Sequence, residues 1–361
     1  MIDFLIVGGG IAGLSTGARL APHGKVVVLE AESATAYHST GRSAALFEAK
    51  YGLPSTLALN HASADFLWNH DGGFLSDRGL MLLGLDSDRD AFEHDKKVME
   101  LEEISVSDAK LRVPILNENV VKRAAFHAGA YDIDTHKLTE CFAATIRANG
   151  GDVLVNQTFQ SAGFDGKAWT IQTENAEFQA RKLVNAAGAW ADQVAAKAGI
   201  TPLGLQPYRR SMARIPAPGG HDLSDWPMIF GAAESWYAKP DAGCLLVSPA
   251  EEDPVEPFDA WAEDMVLAEG LAKYEAAMTE PVTRMVANWA GLRTFAPDRS
   301  LVIGPEPQNR AFIWVAGMGG YGIQSSPAYS QLAADLVTGQ TPEIAADIVA
   351  QLTPERLRSG A

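Results

Sequence analysis

The chain opens on an unbroken apolar run, Phe4-Leu5-Ile6-Val7, which enters three glycines. A segment with apolar positions at helical spacing follows. A second apolar run, Lys25-Val26-Val27-Val28-Leu29, then stops on an acid, Glu30. Short apolar runs bounded by glycine on either side of a helical stretch predict strand, helix, strand. Further on, the pattern predicts helices over 53–68 and 88–99 and a strand over 79–85. The run Tyr131-Asp132-Ile133-Asp134 precedes a helix, with Asp134 or Thr135 as N-cap and Leu138, Phe142 and Ile146 on one face. Asn149-Gly150-Gly151 stops it. Strands are expected over 153–159, 168–173 and 178–185. Ala186-Ala187-Gly188-Ala189-Trp190 then leads into a helix over 191–198. From 205 to 249 the pattern is β with proline and glycine turns, 254–278 reads as acidic helix, and β returns after Ala287. A strand over 311–316 runs into Gly317-Met318-Gly319-Gly320-Tyr321-Gly322, and a helix over 328–337 closes the pattern.

Nucleotide-type α/β segments therefore lie at the start, middle and end, with β-rich segments between them. This predicts an α/β protein: a Rossmann-like dinucleotide domain built from 1–80, 140–204 and 287–361, and a β-rich α+β substrate domain from 81–139 and 205–286. A chain of 361 residues can bury a core of that size.

The first glycines have separate tasks. Gly8, Gly10 and Gly13 fit G-x-G-x-x-G directly after a strand. Gly8 permits a tight turn, Gly10 lets a pyrophosphate approach the backbone, and Gly13 and Gly17 let the helix pack close to the sheet. The helix N-terminus offers free N–H groups to phosphates. Glu30 is placed to accept hydrogen bonds from ribose hydroxyls and would repel a 2′-phosphate, which leaves FAD or NAD.

Two further sites favour the flavin. Lys182-Leu183-Val184-Asn185-Ala186-Ala187-Gly188 is an apolar strand ending in small residues. The glycines after residue 316 make a second glycine-rich strand-to-helix turn. A cofactor buried end to end needs close backbone approach at several distant points, whereas a diffusing nicotinamide needs one. The dipole of the last helix could stabilise charge on a reduced ring.

Charge and composition narrow the setting. Hydrophobic residues make up 47% and charged residues 20%, as in soluble globular proteins. The net charge of −16 opposes binding to nucleic acid and to anionic membranes, so an anionic substrate needs a local cluster of cations. Cys141 and Cys244 show no metal or disulfide spacing, and a reducing cytoplasm is the expected location. No apolar run approaches the ~20 residues of a membrane span, and the first apolar stretch reads as a strand, not a signal peptide.

The chain resembles the glycine oxidase and D-amino acid oxidase family of FAD-dependent amine oxidoreductases, along its full length. The stretches that carry the resemblance are Tyr-His-Ser-Thr-Gly-Arg-Ser-Ala-Ala at 37–45, Asn-Ala-Ala-Gly-Ala-Trp at 185–190, Leu-Gln-Pro-Tyr-Arg-Arg-Ser at 205–211, Tyr-Ala-Lys-Pro-Asp-Ala-Gly at 237–243, Trp-Ala-Gly-Leu-Arg at 289–293 and Gly-Gly-Tyr-Gly-Ile-Gln at 319–324. They are most similar to the bacterial D-arginine dehydrogenase branch. The resemblance implies noncovalent FAD, held by Gly8, Gly10, Gly13, Glu30, Ser39, Thr40, Arg42, Ser43, Ala44, Ala187, Gly188, Trp190, Gly319, Gly320, Tyr321, Gly322, Ile323 and Gln324. It also implies hydride transfer from the Cα of a D-amino acid to flavin N5. The imino acid product hydrolyses to a 2-oxo acid and ammonia, and a quinone or oxygen takes the electrons.

Oxidation at Cα needs the substrate carboxylate fixed, and a planar guanidinium grips a carboxylate with two bonds. Arg293 follows an apolar segment and matches the family's carboxylate-binding position; the alternative is a salt bridge to Asp298 or another acid. Arg210 and Tyr237 are expected to assist, with Arg209 as the competing neighbour on the opposite face of a strand. Tyr51 and Gly320 complete the expected catalytic set. Residues 44–54 are expected to form a lid with Tyr51 at its mouth, or simply a loop into the next helix.

Two positions depart from the D-arginine dehydrogenase pattern. Leu46 stands where that branch has a histidine, and Gly79-Leu80-Met81 lies where it has a glutamate that reads the side chain. Leu46 and Leu80 predict a pocket for smaller or less polar side chains. Glu48 complicates this, either as a partner for a cation or as an ordinary exposed glutamate. His38, His127 and His136 are expected to be structural, polar or capping residues, and no metal is expected. A secondary amine or 2-hydroxy acid as substrate, and a non-catalytic flavin protein, are the alternatives.

Overall fold

The structure, a computed structural model, describes residues 1–358. Residues 359–361, the end of the expected cofactor segment, lie outside it. An eight-stranded sheet carries the glycine turn. Its centre is parallel: Ile2–Val7 lies between Val26–Leu29 and Glu177–Asn185, and Asn309–Ala316 pairs with the far side of Glu177–Asn185. Both faces of this centre are buried, which explains the unbroken apolar runs. Phe4 and Ile6 pack into one core with Leu14, Leu138, Phe142 and Leu332, under the helices Ile11–Leu20, Thr135–Ala148 and Ser326–Thr338. Leu5 and Val7 face the other core, with Trp169, Val194 and Trp314. A Cβ on Gly17 would come within 2.8 Å of Ile146 Cδ1, so glycine sets the approach of the first helix to Thr135–Ala148. Asp134 caps that helix by accepting from Lys137 N at 2.9 Å.

The strand expected over 153–159 is two pieces. Asp152–Leu154 joins Val26–Leu29 in the parallel centre, while Phe159–Phe164 forms a hairpin with Trp169–Thr173. Asn156, with φ 56°, lies between them, a left-handed conformation that asparagine adopts readily.

The second large sheet has nine strands. Gln206–Pro216 pairs on one side with Cys244–Ser248 and Asp253–Pro254, and on the other with Ala287–Phe295. The sheet continues through Tyr237–Asp241, Met228–Gly231, Leu80–Gly84, Arg123–His127 and Glu102–Ile104. Ala287–Phe295, grouped above with the cofactor segments, thus lies in the β-rich sheet. A short strand shows its period in sequence but not which distant edge it will pair with. Residues 44–54 are likewise not all loop: Leu46–Glu48 pairs with Ala130–Ile133 in a three-stranded sheet with Leu75–Asp77. The acidic stretch expected to be helical over 254–278 is helical only at Asp264–Ala276. Among the described residues no helix is long and apolar enough to cross a membrane, and no group of His, Cys, Asp and Glu could hold a metal.

Candidate active site

The glycine turn comes first. Gly8 has φ 110°, and a Cβ there would overlap the Ala186 carbonyl; a Cβ on Gly13 would overlap the carbonyl of Gly8. The missing Cβ of Gly8 lets the ends of two strands meet, and that of Gly13 lets the first helix close onto the turn. In front of Gly10, a Cβ would meet nothing nearer than Thr40 Oγ1 at 3.2 Å. The helix N-terminus has no side-chain cap at Gly10, and Ile11 N donates to Thr40 Oγ1 at 3.1 Å. Buried Glu30 accepts from Gly9 N at 2.8 Å and from Glu32 N at 2.9 Å. Each of its oxygens keeps a lone pair for a further donor. An open glycine cradle, a helix N-terminus and an acid fit the phosphates and a ribose of a dinucleotide. Ala187 lies against Gly8, and Gly188 and Trp190 follow it in the same turn.

The loop at 37–45 is tied to Ala287–Phe295. Ser39 Oγ donates to the Leu292 carbonyl at 2.7 Å, and Trp289 Nε1 to the Arg42 carbonyl at 3.0 Å. Arg42 donates to the carbonyls of Ala260, Ala290 and Tyr37 and pairs with Asp259. Its donors hold the loop, and any part in cofactor binding runs through that loop. His38 pairs with Glu32 at 2.9 Å and packs against Trp190.

A cavity of about 210 Å³ lies between this loop, the turn at 318–324 and the nine-stranded sheet. Ser39, Thr40, Arg42, Ser43, Ala44, Gly319, Gly320, Gly322, Ile323 and Gln324 line it, as do Leu46, Glu48, Tyr51, Leu80, Arg210, Tyr237 and Arg293. Gly8, Gly10, Gly13, Glu30, Ala187, Gly188 and Trp190 are outside its wall, at the glycine-turn end. Tyr321 is also outside it, packing against Tyr51 and Phe295 with ring centroids 5.2 and 6.4 Å away.

Strand register places the cations. Tyr208 stands opposite Arg293, and Arg210 opposite Gly291. Residues two apart share a face, so Arg210 and Arg293 are diagonal neighbours on the cavity side. Arg209 points the other way, to Asp253 at 3.0 Å and Glu263 at 2.7 Å. Arg293 makes no ion pair with any described residue, and Asp298 is instead held by Arg356 at 2.6 Å. Gly320 makes room for it: a Cβ there would lie 3.2 Å from Arg293 Cζ. Arg210 is buried, with Nη2 3.4 Å from Glu252 and with Nε and Nη1 unpartnered. Burial and the adjacent Arg293 both push its pKa down. Two cations with spare donors at the end of one cavity form a site for an anion.

Tyr51 donates to Glu234 Oε2 at 3.3 Å. Burial raises its pKa well beyond the ordinary tyrosine value, so it keeps its proton. Glu234 was not foreseen. It sits in a turn where Ala233 and Glu234 have φ of 57° and 48°, conformations that sequence does not announce for these residues. Glu252, bonded to Arg210 and by both oxygens to Arg299 at 3.0 Å, was also missed. Glu48 is not the exposed glutamate of the simplest reading: it is 4% exposed, with Oε2 2.8 Å from His127 Nε2. Its backbone N donates to Gln324 Oε1 at 2.9 Å, tying the strand Leu46–Glu48 to the second glycine turn. His127 Nδ1 accepts from Gly129 N at 3.0 Å. Leu46 and Leu80 share an apolar cluster with Met212, Phe230 and Tyr237.

A dinucleotide cradle leading into a cavity that holds two neighbouring arginines has the parts to set a long cofactor against an anionic ligand. Comparison with known proteins makes this particular. The chain belongs to the DAO family of FAD-dependent oxidoreductases, whose pattern it matches over residues 3–336. It is 28% identical to glycine oxidase of Pseudomonas putida, over 94% of this chain and 95% of that one. Its fold is similar to L-proline dehydrogenase from P. horikoshii, with a TM-score of 0.84 and 21% identity over 99% and 98% of the two chains. It is also similar to glycine oxidase from Geobacillus kaustophilus, with a TM-score of 0.83 and 21% identity over 96% and 97%. This chain is an FAD-dependent oxidoreductase.

Proposed function

We propose that this enzyme oxidises the Cα–N bond of a D-amino acid whose carboxylate is gripped by Arg293, with Arg210, Tyr51 and Tyr237 assisting. The observation that carries this reading is Arg293, without an ion pair to any described residue, beside the half-satisfied Arg210 in one cavity, with the carboxylates of Glu234 and Glu252 nearby. FAD, when bound, supplies the acceptor for the hydride lost from Cα. The eight-stranded sheet and the loop at 37–45 would hold it noncovalently; the wall of the cavity contains no cysteine or histidine among the described residues. The nine-stranded sheet would hold the substrate.

The residues of the chain act on charge and position. A carboxylate between Arg293 and Arg210 is fixed in orientation as well as place. The same two cations lie near the substrate amine and favour its neutral form, the form able to give up a hydride. Tyr51, protonated, donates rather than accepts, and no side chain needs to serve as base. Around the substrate side chain, Leu46, Leu80, Met228 and Phe230 make an apolar wall. This supports small or apolar D-amino acids over D-arginine and D-lysine. Two free cysteines, Cys141 and Cys244, suit a reducing compartment such as the cytoplasm, with oxygen or a quinone as electron acceptor. The likeness to glycine oxidase supports one second reading, oxidation of glycine or an N-alkylglycine in the same clamp.

The test is anaerobic. The yellow holoenzyme is mixed with D-amino acids, L-amino acids, N-methylglycines and 2-hydroxy acids while the visible flavin band is followed. Bleaching led by apolar D-amino acids is the expected result. Bleaching led by N-methylglycines or glycine selects the second reading. Bleaching by none of the panels overturns both.

A further inference from the structure

Lys239 belongs to the stretch 237–243 that carried the family resemblance, yet the reaction above gives it no part. It is a buried lysine, 6% exposed, two residues beyond Tyr237 on the same strand and hence on the same, cavity-side face. Its ammonium donates to the Ala45 carbonyl at 2.9 Å and pairs with Asp132 Oδ1 at 2.7 Å. Asp132 Oδ2 is held in turn by Arg78 Nε at 2.8 Å and Nη2 at 2.7 Å, and Arg78 Nη1 donates to the carbonyls of Ser224 and Trp226. Burial pulls the lysine's pKa down and Asp132 opposes this.

The partner that matters is Ala45. Residues 43–45 link the last turn of the cofactor loop to the strand Leu46–Glu48 and belong to no helix or strand themselves. Nothing in regular backbone pairing holds them, yet Ser43, Ala44 and Ala45 form the cavity wall. Two side chains do the holding. Ser43 Oγ accepts from Ala45 N at 3.1 Å, and Lys239 Nζ takes the Ala45 carbonyl. The ammonium thus ties the strand that carries Tyr237 to the wall at Ala45, and it is braced by the Asp132–Arg78 pair.

We infer that Lys239 is a positioning residue, which fixes the wall at 43–45 relative to Tyr237 and so sets the width of the cavity where cofactor and substrate meet. For its rate consequence this rests on the function proposed above; for the wall itself it does not. A wall displaced by about 1 Å lowers the turnover of a reaction that depends on alignment by up to about a hundredfold.

The experiment compares holoenzyme carrying Lys239→Met, which keeps the apolar stem and removes the ammonium, with Asp132→Asn, which cuts the ion pair but leaves an oxygen to accept from Lys239. Three quantities are read: kcat and KM on the best amino acid, the visible flavin spectrum, and hydrogen exchange of a peptide covering 41–50. Lys239→Met should retain FAD, shift the flavin band, accelerate exchange in 41–50 and lower kcat about 10- to 100-fold with KM changed less than about threefold. Asp132→Asn should lose thermal stability but keep kcat within about threefold. The inference is overturned if Lys239→Met leaves exchange at 41–50 and the flavin band unchanged. It is equally overturned if exchange rises throughout the chain, or if the two variants lose kcat alike, since Lys239 would then be a strut of the fold. If no amino acid reduces the native flavin, the proposed reaction fails, and exchange and the flavin band still decide the role of Lys239.

Discussion

Replacing Arg293 by methionine removes the guanidinium and keeps a side chain of similar length. A carboxylate held by a planar guanidinium accepts two charge-assisted bonds, each worth about 1.5–3 kcal/mol. Truncating one partner of such a buried pair costs about 3–5 kcal/mol. Arg210 remains beside the carboxylate with Nε and Nη1 unpartnered, so it takes up part of the loss. The lower half of that range applies, and at about 1.4 kcal/mol per tenfold kcat/KM should fall about 10²- to 10³-fold. Arg293→Lys, which keeps a point charge without the fork, should lie between the two. The fold should suffer little: Arg293 has no ion pair to lose among the described residues, although the nearby carboxylates Glu234 and Glu252 favour its charge against burial, so the melting temperature of Arg293→Met should stay close to that of the native protein. The assay is anaerobic stopped-flow reduction of the flavin by the best D-amino acid, with thermal unfolding alongside. The amide of the same amino acid supplies an internal control. It should be a poor substrate of the native enzyme and lose little more in the variant. The reasoning is refuted if Arg293→Met keeps kcat/KM within about threefold, or if the acid and the amide lose equally.

Three further outcomes are expected. Gly320→Ala places a Cβ 3.2 Å from Arg293 Cζ and should lower kcat/KM about tenfold by turning the guanidinium, with FAD still bound, as flavin reduction kinetics will show. Gly13→Ala drives a Cβ into the carbonyl of Gly8 and should yield protein that is destabilised by about 2–4 kcal/mol and purifies with little flavin, read from the ratio of visible to protein absorbance. Burial raises the ionisation of Tyr51, Tyr274 and Tyr329 above the ordinary value of 10.0. The unfolded chain releases these protons near pH 10 and the folded chain does not, so stability is full below pH 10 and declines as pH rises beyond it. Tyr274→Phe should flatten that decline and, by removing a buried hydroxyl with no hydrogen-bond partner, stabilise the protein by about 1 kcal/mol in denaturant titrations.

The sequence by itself determined whatever depends on local geometry. Gly8 and Gly13 announce the turn because only residues without a Cβ tolerate φ 110° or the contact with a neighbouring carbonyl. The apolar runs at 4–7 and 26–29 announce strands buried on both faces, and Asp134 announces the start of a helix that it caps. A basic residue in an otherwise apolar segment marked Arg293, since a lone cation in such a setting needs an anion from somewhere. Only the tertiary structure decided which strand edges meet. Ala287–Phe295 is as apolar as a nucleotide-domain strand, yet it pairs with Gln206–Pro216, and that pairing sets Arg293 diagonal to Arg210. Glu48 looks like any surface glutamate until Leu46–Glu48 joins Ala130–Ile133 and buries it against His127. Glu234 and Glu252 have no distinguishing neighbours along the chain, and the stretch around Lys239 does not name its partner; the partners of Lys239, Glu234 and Glu252 at Ala45, Tyr51 and Arg210 lie 194, 183 and 42 residues away. Turns and caps are written in a few adjacent residues, whereas a buried charge takes its meaning from partners that only long-range pairing supplies.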